Sequence, residues 1–184
     1  LGLLLGASPF QIGLLVAVPH LLGSMVQLVA VRIVRMFGSQ LTFIVRGAIV
    51  QASFLLPVAF LPFLNVPGRV GMLVVLVTIF RILAHIIGTA WGNLVSSYLP
   101  SEERGRYFGW RSQIVGIAGV GGVVLGGLLL FSVKKVSPDL AFFLLFFFTA
   151  LTRFVSAKLL ARMEDIPIKA KPEADFTFYQ FLSR

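Results

Sequence analysis

Arg81 and His85 stand four residues apart near the middle of a long apolar run. The face they share on a helix continues through Thr89 toward Asn93. An arginine at mid-depth in a bilayer is costly, so it normally faces a water-filled cavity or a partner. The pattern therefore points to a stripe that contacts a solute or an ion. The alternative is an arginine satisfied by backbone carbonyls or by a polar side chain of an adjacent helix. A milder polar face, His20, Ser24 and Gln27, occurs at intervals of four and three in an earlier run, and Gln51 and Ser53 mark another. Such amides and hydroxyls usually act as interhelical glue worth about 0.6 kcal/mol each. A substrate role for His20, Gln27 and Gln51 is the competing expectation.

Enzymatic chemistry finds little support. Catalysis inside a membrane needs a nucleophile with its base, a metal cluster, or paired carboxylates in a pocket. The acids Glu102, Glu103, Asp139, Glu164, Asp165, Glu173 and Asp175 fall in loops or the tail. The histidines His20 and His85 fall on separate runs, and there is no cysteine. No metal site, no cofactor and no enzymatic activity are expected.

These residues are positioned by the apolar runs themselves. Of 184 residues, 58% are hydrophobic and 12% charged, against about 25% charged in an average soluble domain. Runs of eighteen or more apolar residues recur, each long enough to cross a hydrocarbon core of about 30 Å. They lack alternating polarity, so helices rather than barrel strands are expected, because lipid cannot satisfy a free backbone group. Five spans result: about 10–31, with a kink expected at Pro19; about 41–64; about 70–98; about 112–133; and about 140–160. The third would extend about 43 Å as a helix, which puts its midpoint near Ala84 and brackets it with Arg81 and His85. The fold class is all-α, a polytopic membrane bundle.

The net charge of +9 does not predict nucleic-acid binding, because the basic residues sit between apolar runs instead of forming a stripe on a soluble face. It reads as topology signalling and contact with the lipid bilayer. One side collects Arg32, Arg35, Arg46, Arg104, Arg106, Arg111, Lys158, Arg162, Lys169, Lys171 and Arg184; the other has Arg69, Lys134 and Lys135. The basic side is cytoplasmic by this rule, which puts the carboxyl-terminal tail inside and the amino terminus outside. Arg46, Arg153, Lys158 and Arg162 are expected to snorkel to headgroups. Leu1 to Ala7 reads as the tail of a further helix. Residues 163–184 read as a polar cytoplasmic linker ending in a short interfacial segment, Phe176 to Leu182.

At the third junction on the basic side the chain reads Leu99, Pro100, Ser101, Glu102, Glu103, Arg104, Gly105, Arg106, Tyr107, Phe108, Gly109, Trp110, Arg111. Gly105 is expected to permit a tight turn, and Arg104 and Arg106 to meet phosphates or the carbonyl ends of neighbouring helices. Gly109 would let the next helix start close to its neighbour. A glycine-rich span follows, in which Ala118, Gly122 and Gly126 form a small-xxx-small face for close helix packing. The fifth span, with Phe142, Phe143, Phe146, Phe147 and Phe148, looks lipid-facing, with core packing by aromatics as the alternative.

The string from Pro100 to Arg111, with Pro100, Arg104, Gly105, Arg106, Gly109 and Arg111 at its key positions, resembles the loop between the fourth and fifth helices of major facilitator superfamily transporters. The run Gly6, Ala7, Ser8, Pro9, Phe10, Gln11, Ile12, Gly13 is similar to the outer turn into that superfamily's second helix. The resemblance implies helices two to six of an amino-terminal half that lacks its first helix. It implies a secondary transporter that moves a small solute by alternating access, partnered by a missing carboxyl-terminal half. The solute would be anionic or polar if Arg81 meets it. A prokaryotic inner or plasma membrane is the expected location. The rival class is a non-transporting membrane scaffold or assembly subunit.

The loop between the second and third helices departs from the family's Gly-x-x-x-Asp-Arg-x-Gly-Arg-Lys pattern. Aligned on Gly38, Arg35 stands where the aspartate belongs, Val31 replaces the first glycine, and Ser39 and Gln40 replace the basic pair. A carboxylate gate at this loop is not expected. Arg81 lies about one turn nearer the following loop than the family's intramembrane arginine, and the fourth span lacks the Gly-Pro pair associated with antiporters.

Overall fold

A computed structural model describes residues 1–165; the interfacial segment expected at Phe176 to Leu182 and most of the linker before it lie outside the described residues. Among the described residues there are five long helices and no strand: α1 Pro9–Met36, α2 Gln40–Phe60, α3 Arg69–Tyr98, α4 Ser101–Val133 and α5 Pro138–Leu160, with a 3-10 turn, Leu61–Phe63, closing α2. All five are long and apolar enough to cross a membrane.

Local chemistry explains where they start and stop. Leu1 to Ala7 form hydrogen-bonded turns in which Ala7 N–H donates to the Gly2 carbonyl at 2.9 Å and Gly6 N–H to that of Leu3 at 3.1 Å. With Gly6 at φ +79°, this is the Schellman pattern with which α-helices end. Two residues later Ser8 opens α1 with a capping box: its hydroxyl accepts from Gln11 N–H at 3.3 Å, and the Gln11 amide oxygen accepts from Ser8 N–H at 2.9 Å. Gly38, at φ +73°, makes the reversal between α1 and α2 short, because a side chain there would be strained. Ser39 and Ser137 cap α2 and α5 by accepting from the Thr42 and Leu140 N–H groups, without the reciprocal bond of the Ser8 box. Pro19 and Pro57 lie inside helices.

α4 begins about three turns before Ser112. The chain turns at Leu99 and Pro100, both extended, and is helical from Ser101 onward. The tight turn expected at Gly105 is therefore corrected: Gly105 has no positive φ and sits in the second turn of the helix. Proline at the N-cap with Glu102 and Glu103 in the first turn is enough to start a helix, since acids there complement the positive end of its dipole.

α3 is the centre of the bundle. It packs against α1 on one side and α2 on another; α2 also packs on α5, while α4 touches chiefly α5. One core cluster joins Ala30 and Val34 of α1, Leu41 and Ile44 of α2, and Ile86, Ile87, Ala90 and Leu94 of α3. A second, at the opposite end, joins Leu5, Val58, Leu61, Val70 and Leu73. α4 buries no residue. Its small face is correspondingly open: a side chain at Gly122 would meet nothing within 4 Å, Ala118 is exposed, and Gly126 alone approaches a neighbour, the Leu145 side chain of α5. Gly109 likewise has nothing within 4 Å, so the close approach expected there is absent.

The phenylalanines of α5 divide instead of forming one lipid face. Phe143 packs edge-on against Phe60 and Phe63 and stacks with Phe147, Phe146 packs on the second core cluster, and Phe147 and Phe148 are exposed. Core packing therefore describes Phe146 alone, since Phe143 sits among the exposed rings of Phe60, Phe63 and Phe147.

Candidate functional site

The polar groups singled out in the apolar runs come together in two places and not as one stripe. On the α1–α3 seam, Gln27 Nε2 and His85 Nδ1 are 2.8 Å apart. The imidazole lies directly over Gly23: a Cβ built there would fall 2.4 Å from His85 Cδ2 and 2.8 Å from Nε2. Absence of a side chain at Gly23 is what lets the two helices meet around the ring. Thr89 turns its hydroxyl back onto the His85 carbonyl at 3.0 Å, a bond within its own helix. His20 and Asn93 are exposed and take no part in this seam.

Arg81 lies on the exposed face of α3, one turn from His85, and no described residue bonds to it. It shares its helical face with Ala84, Gly88 and Gly92, which line a cleft toward the α3–α4 junction.

The second place is the junction of α2, α3 and α5. Gln51, 2% exposed, donates from Nε2 to the Phe80 carbonyl of α3 at 3.2 Å. Its Oε1 accepts from Arg153 Nε at 2.9 Å and from Arg153 Nη2 at 2.6 Å. Arg153 was expected to snorkel to headgroups; it turns inward instead, because Gln51 gives its guanidinium an acceptor inside the bundle. Sequence spacing offered no way to pair residues 102 positions apart. The one available signal was an arginine two turns from the end of its span, deeper than Lys158 or Arg162.

Beside Arg153 opens a cleft of about 530 Å³ bounded by α2, α3, α4 and α5. Trp91 and Phe108 form an aromatic wall, their rings edge to face at 6.4 Å, and Arg111 lies over the Trp91 ring at 3.9 Å. Cation and indole face attract through the ring quadrupole. Arg111, named from the loop motif, is therefore a cleft residue on α4, and no acid lines the cleft. The remaining motif residues stay at the junction: Arg104 Nε donates to the Leu99 carbonyl at 3.2 Å, and exposed Arg106 lies 3.9 Å from Glu103. A pair so exposed contributes little to stability.

A carboxylate does reach the α1–α2 loop, though not from the loop itself. Asp165, beyond α5, accepts from Leu41 N–H at 3.3 Å, where the positive end of α2 favours an anion. Next to it Tyr98 at the end of α3 donates to the Glu164 carbonyl. The start of the linker is thereby fastened across the ends of α2 and α3.

Five helices long and apolar enough to cross a membrane, with cations but no acids along their interiors, make the chain an integral membrane protein. A family model for the Major Facilitator Superfamily matches residues 1–180, and the chain belongs to that superfamily of membrane transporters. Comparison with curated proteins and with solved structures found no match to either.

Proposed function

We propose that the chain forms helices two to six of an amino-terminal transporter half and carries a small anionic or strongly polar solute by alternating access, with Arg81 facing the solute path. The observation that supports this most is Arg81 itself. It is exposed at mid-depth of α3, without a partner among the described residues, on a helix whose two other faces are packed against α1 and α2. An arginine so placed is tolerated where water, or a ligand, replaces lipid. His85, one turn away and tied to Gln27, links that face to the α1–α3 seam. Rocking of one half of a transporter against another would expose such a midplane site alternately.

Transport by an Arg81→Gln, His85→Ala variant of the intact protein, measured across pH 5 to 8, tests the reading. Uptake is expected to fall at least about tenfold, corresponding to about 1.4 kcal/mol of lost interaction. Arg81→Lys should keep a fraction if charge alone is needed and little if a bidentate contact is needed. Wild-type transport by the double variant would remove Arg81 from the path.

The excess of Lys and Arg on one side supports a cytoplasmic α3–α4 junction. As the chain has no cysteine, single introduced cysteines can report this. Ser101→Cys is expected to react with an impermeant thiol reagent only from the cytoplasm, and Ser137→Cys only from outside. Reaction of Ser101→Cys from outside would invert the orientation.

A further inference from the structure

The geometry points to the cleft between α3, α4 and α5 as a second anion-binding site, one that Arg81 does not itself line. It would take a carboxylate or phosphate group carried on an apolar or aromatic body.

The first ground is charge. Arg111 and Arg153 both line the cleft, and no acid does. The nearest acids in sequence are Glu103, in the first turn of α4, and Glu164, beyond the end of α5, and neither lines the cleft. Gln51 fixes the Arg153 guanidinium but does not neutralise it, because an amide carries no charge. The Gln51 contacts use one N–H of Nε and one of Nη2, and a guanidinium has five. Three donors are therefore left for another acceptor. Two cations held this close to the apolar interior without a counter-charge are costly. An anion between them would offset that cost and supply charge-assisted hydrogen bonds.

The second ground is shape. The cleft volume of about 530 Å³ falls within the range of small-ligand sites, well above what a bare inorganic ion fills. Its far wall is apolar: Trp91, Phe108, Ile87 and Leu160. The ring of Trp91 already carries the Arg111 cation on one face, which holds that guanidinium toward the cleft at little entropic cost. A ligand with an anionic head and an apolar body matches both walls. A solute anion in the aqueous phase and an anionic lipid headgroup share this chemistry.

A test uses the intact protein labelled with 5-fluorotryptophan in nanodiscs, with the Trp91 fluorine resonance assigned by its loss in Trp91→Phe. In nanodiscs of phosphatidylcholine alone, benzoate and inorganic phosphate are titrated; in a second arm phosphatidylglycerol is added to the bilayer. A saturable shift with benzoate, stronger than with phosphate, assigns the site to a free organic anion. A shift only on adding phosphatidylglycerol assigns it to a lipid headgroup. In either case Arg111→Gln and Arg153→Gln should weaken the response at least tenfold. Arg111 makes no hydrogen bond to a neighbouring helix, its one contact with α3 being the stack on Trp91, so Arg111→Gln keeps the test informative if Arg153→Gln does not fold. An unmoved Trp91 resonance in both arms, or an unchanged affinity in Arg111→Gln, overturns the site. Neither result depends on Arg81 or His85, so failure here leaves the transport reading standing, and failure of transport in the Arg81 variant leaves this site standing.

Discussion

Gly23→Val is expected to abolish the packed α1–α3 seam. Even a Cβ at position 23 would sit 2.4 Å from His85 Cδ2, and the ring has Gln27 on its other flank, 2.8 Å away. The smaller change, Gly23→Ala, already forces the ring or the helix to move, at a cost of about 1–3 kcal/mol. The sign is diagnostic. In an open helical position glycine to alanine stabilises by about 0.5–1 kcal/mol. Gly13→Ala, in the same helix with nothing within 4 Å, supplies that control. Unfolding in graded denaturant should therefore move in opposite directions for the two variants. Truncating the ring with His85→Ala should relieve Gly23→Ala, giving a coupling of about 0.5–3 kcal/mol between the two positions. Equal destabilisation by Gly23→Ala with and without the ring would disprove the clash.

Gln51→Leu should destabilise the bundle by about 2–3 kcal/mol, since it strips a charged donor of its acceptor inside the protein. Interhelical hydrogen bonds in membranes average only about 0.6 kcal/mol, so Gln27→Leu, which removes the Gln27–His85 contact, is expected to cost far less. Loss of Gln51 also frees the Phe80 carbonyl contact that joins α2 to α3. Gln51→Glu should recover only the Arg153 part of this loss, because a carboxylate accepts the same two N–H groups and neutralises Arg153 but cannot donate to the Phe80 carbonyl. The same substitution would place a negative charge beside the cleft and suppress anion binding there. Similar unfolding of the Gln51→Leu and Gln27→Leu proteins would mean that Arg153 finds another acceptor, and that the three-helix junction is weaker than its geometry implies.

The linker beyond α5 brings a carboxylate to the start of α2 from a distance. The α1–α2 loop carries Arg35 where the family pattern has an aspartate, yet Asp165 brings a carboxylate to the Leu41 N–H at the start of α2. Helix N-termini attract anions whatever part of the chain provides them. Such a contact is invisible in the loop's own residues, which are all that a local pattern compares.

What was legible in the sequence was whatever depends on residues near one another in the chain. Five spans followed from the length and continuity of apolar runs, because backbone groups in lipid must bond within their own helix. The Pro100 to Arg111 string carried the family. Ser8 with Gln11 wrote a capping box that needs only three residues of separation. Pairings across helices were decided only by tertiary packing. Arg81 and His85 share a helical face, yet one is left exposed and the other is drawn into the α1–α3 seam, because Gly23 on a different helix leaves room for an imidazole. Arg153, read as a headgroup anchor, is turned inward by Gln51, and Arg111, read as part of a loop, is carried on a helix to lie over Trp91. Periodicity places a side chain on a face of its own helix; which neighbour that face meets is set by how the helices pack, and in a bilayer that choice rests on small residues and a few polar contacts instead of on hydrophobic patterning.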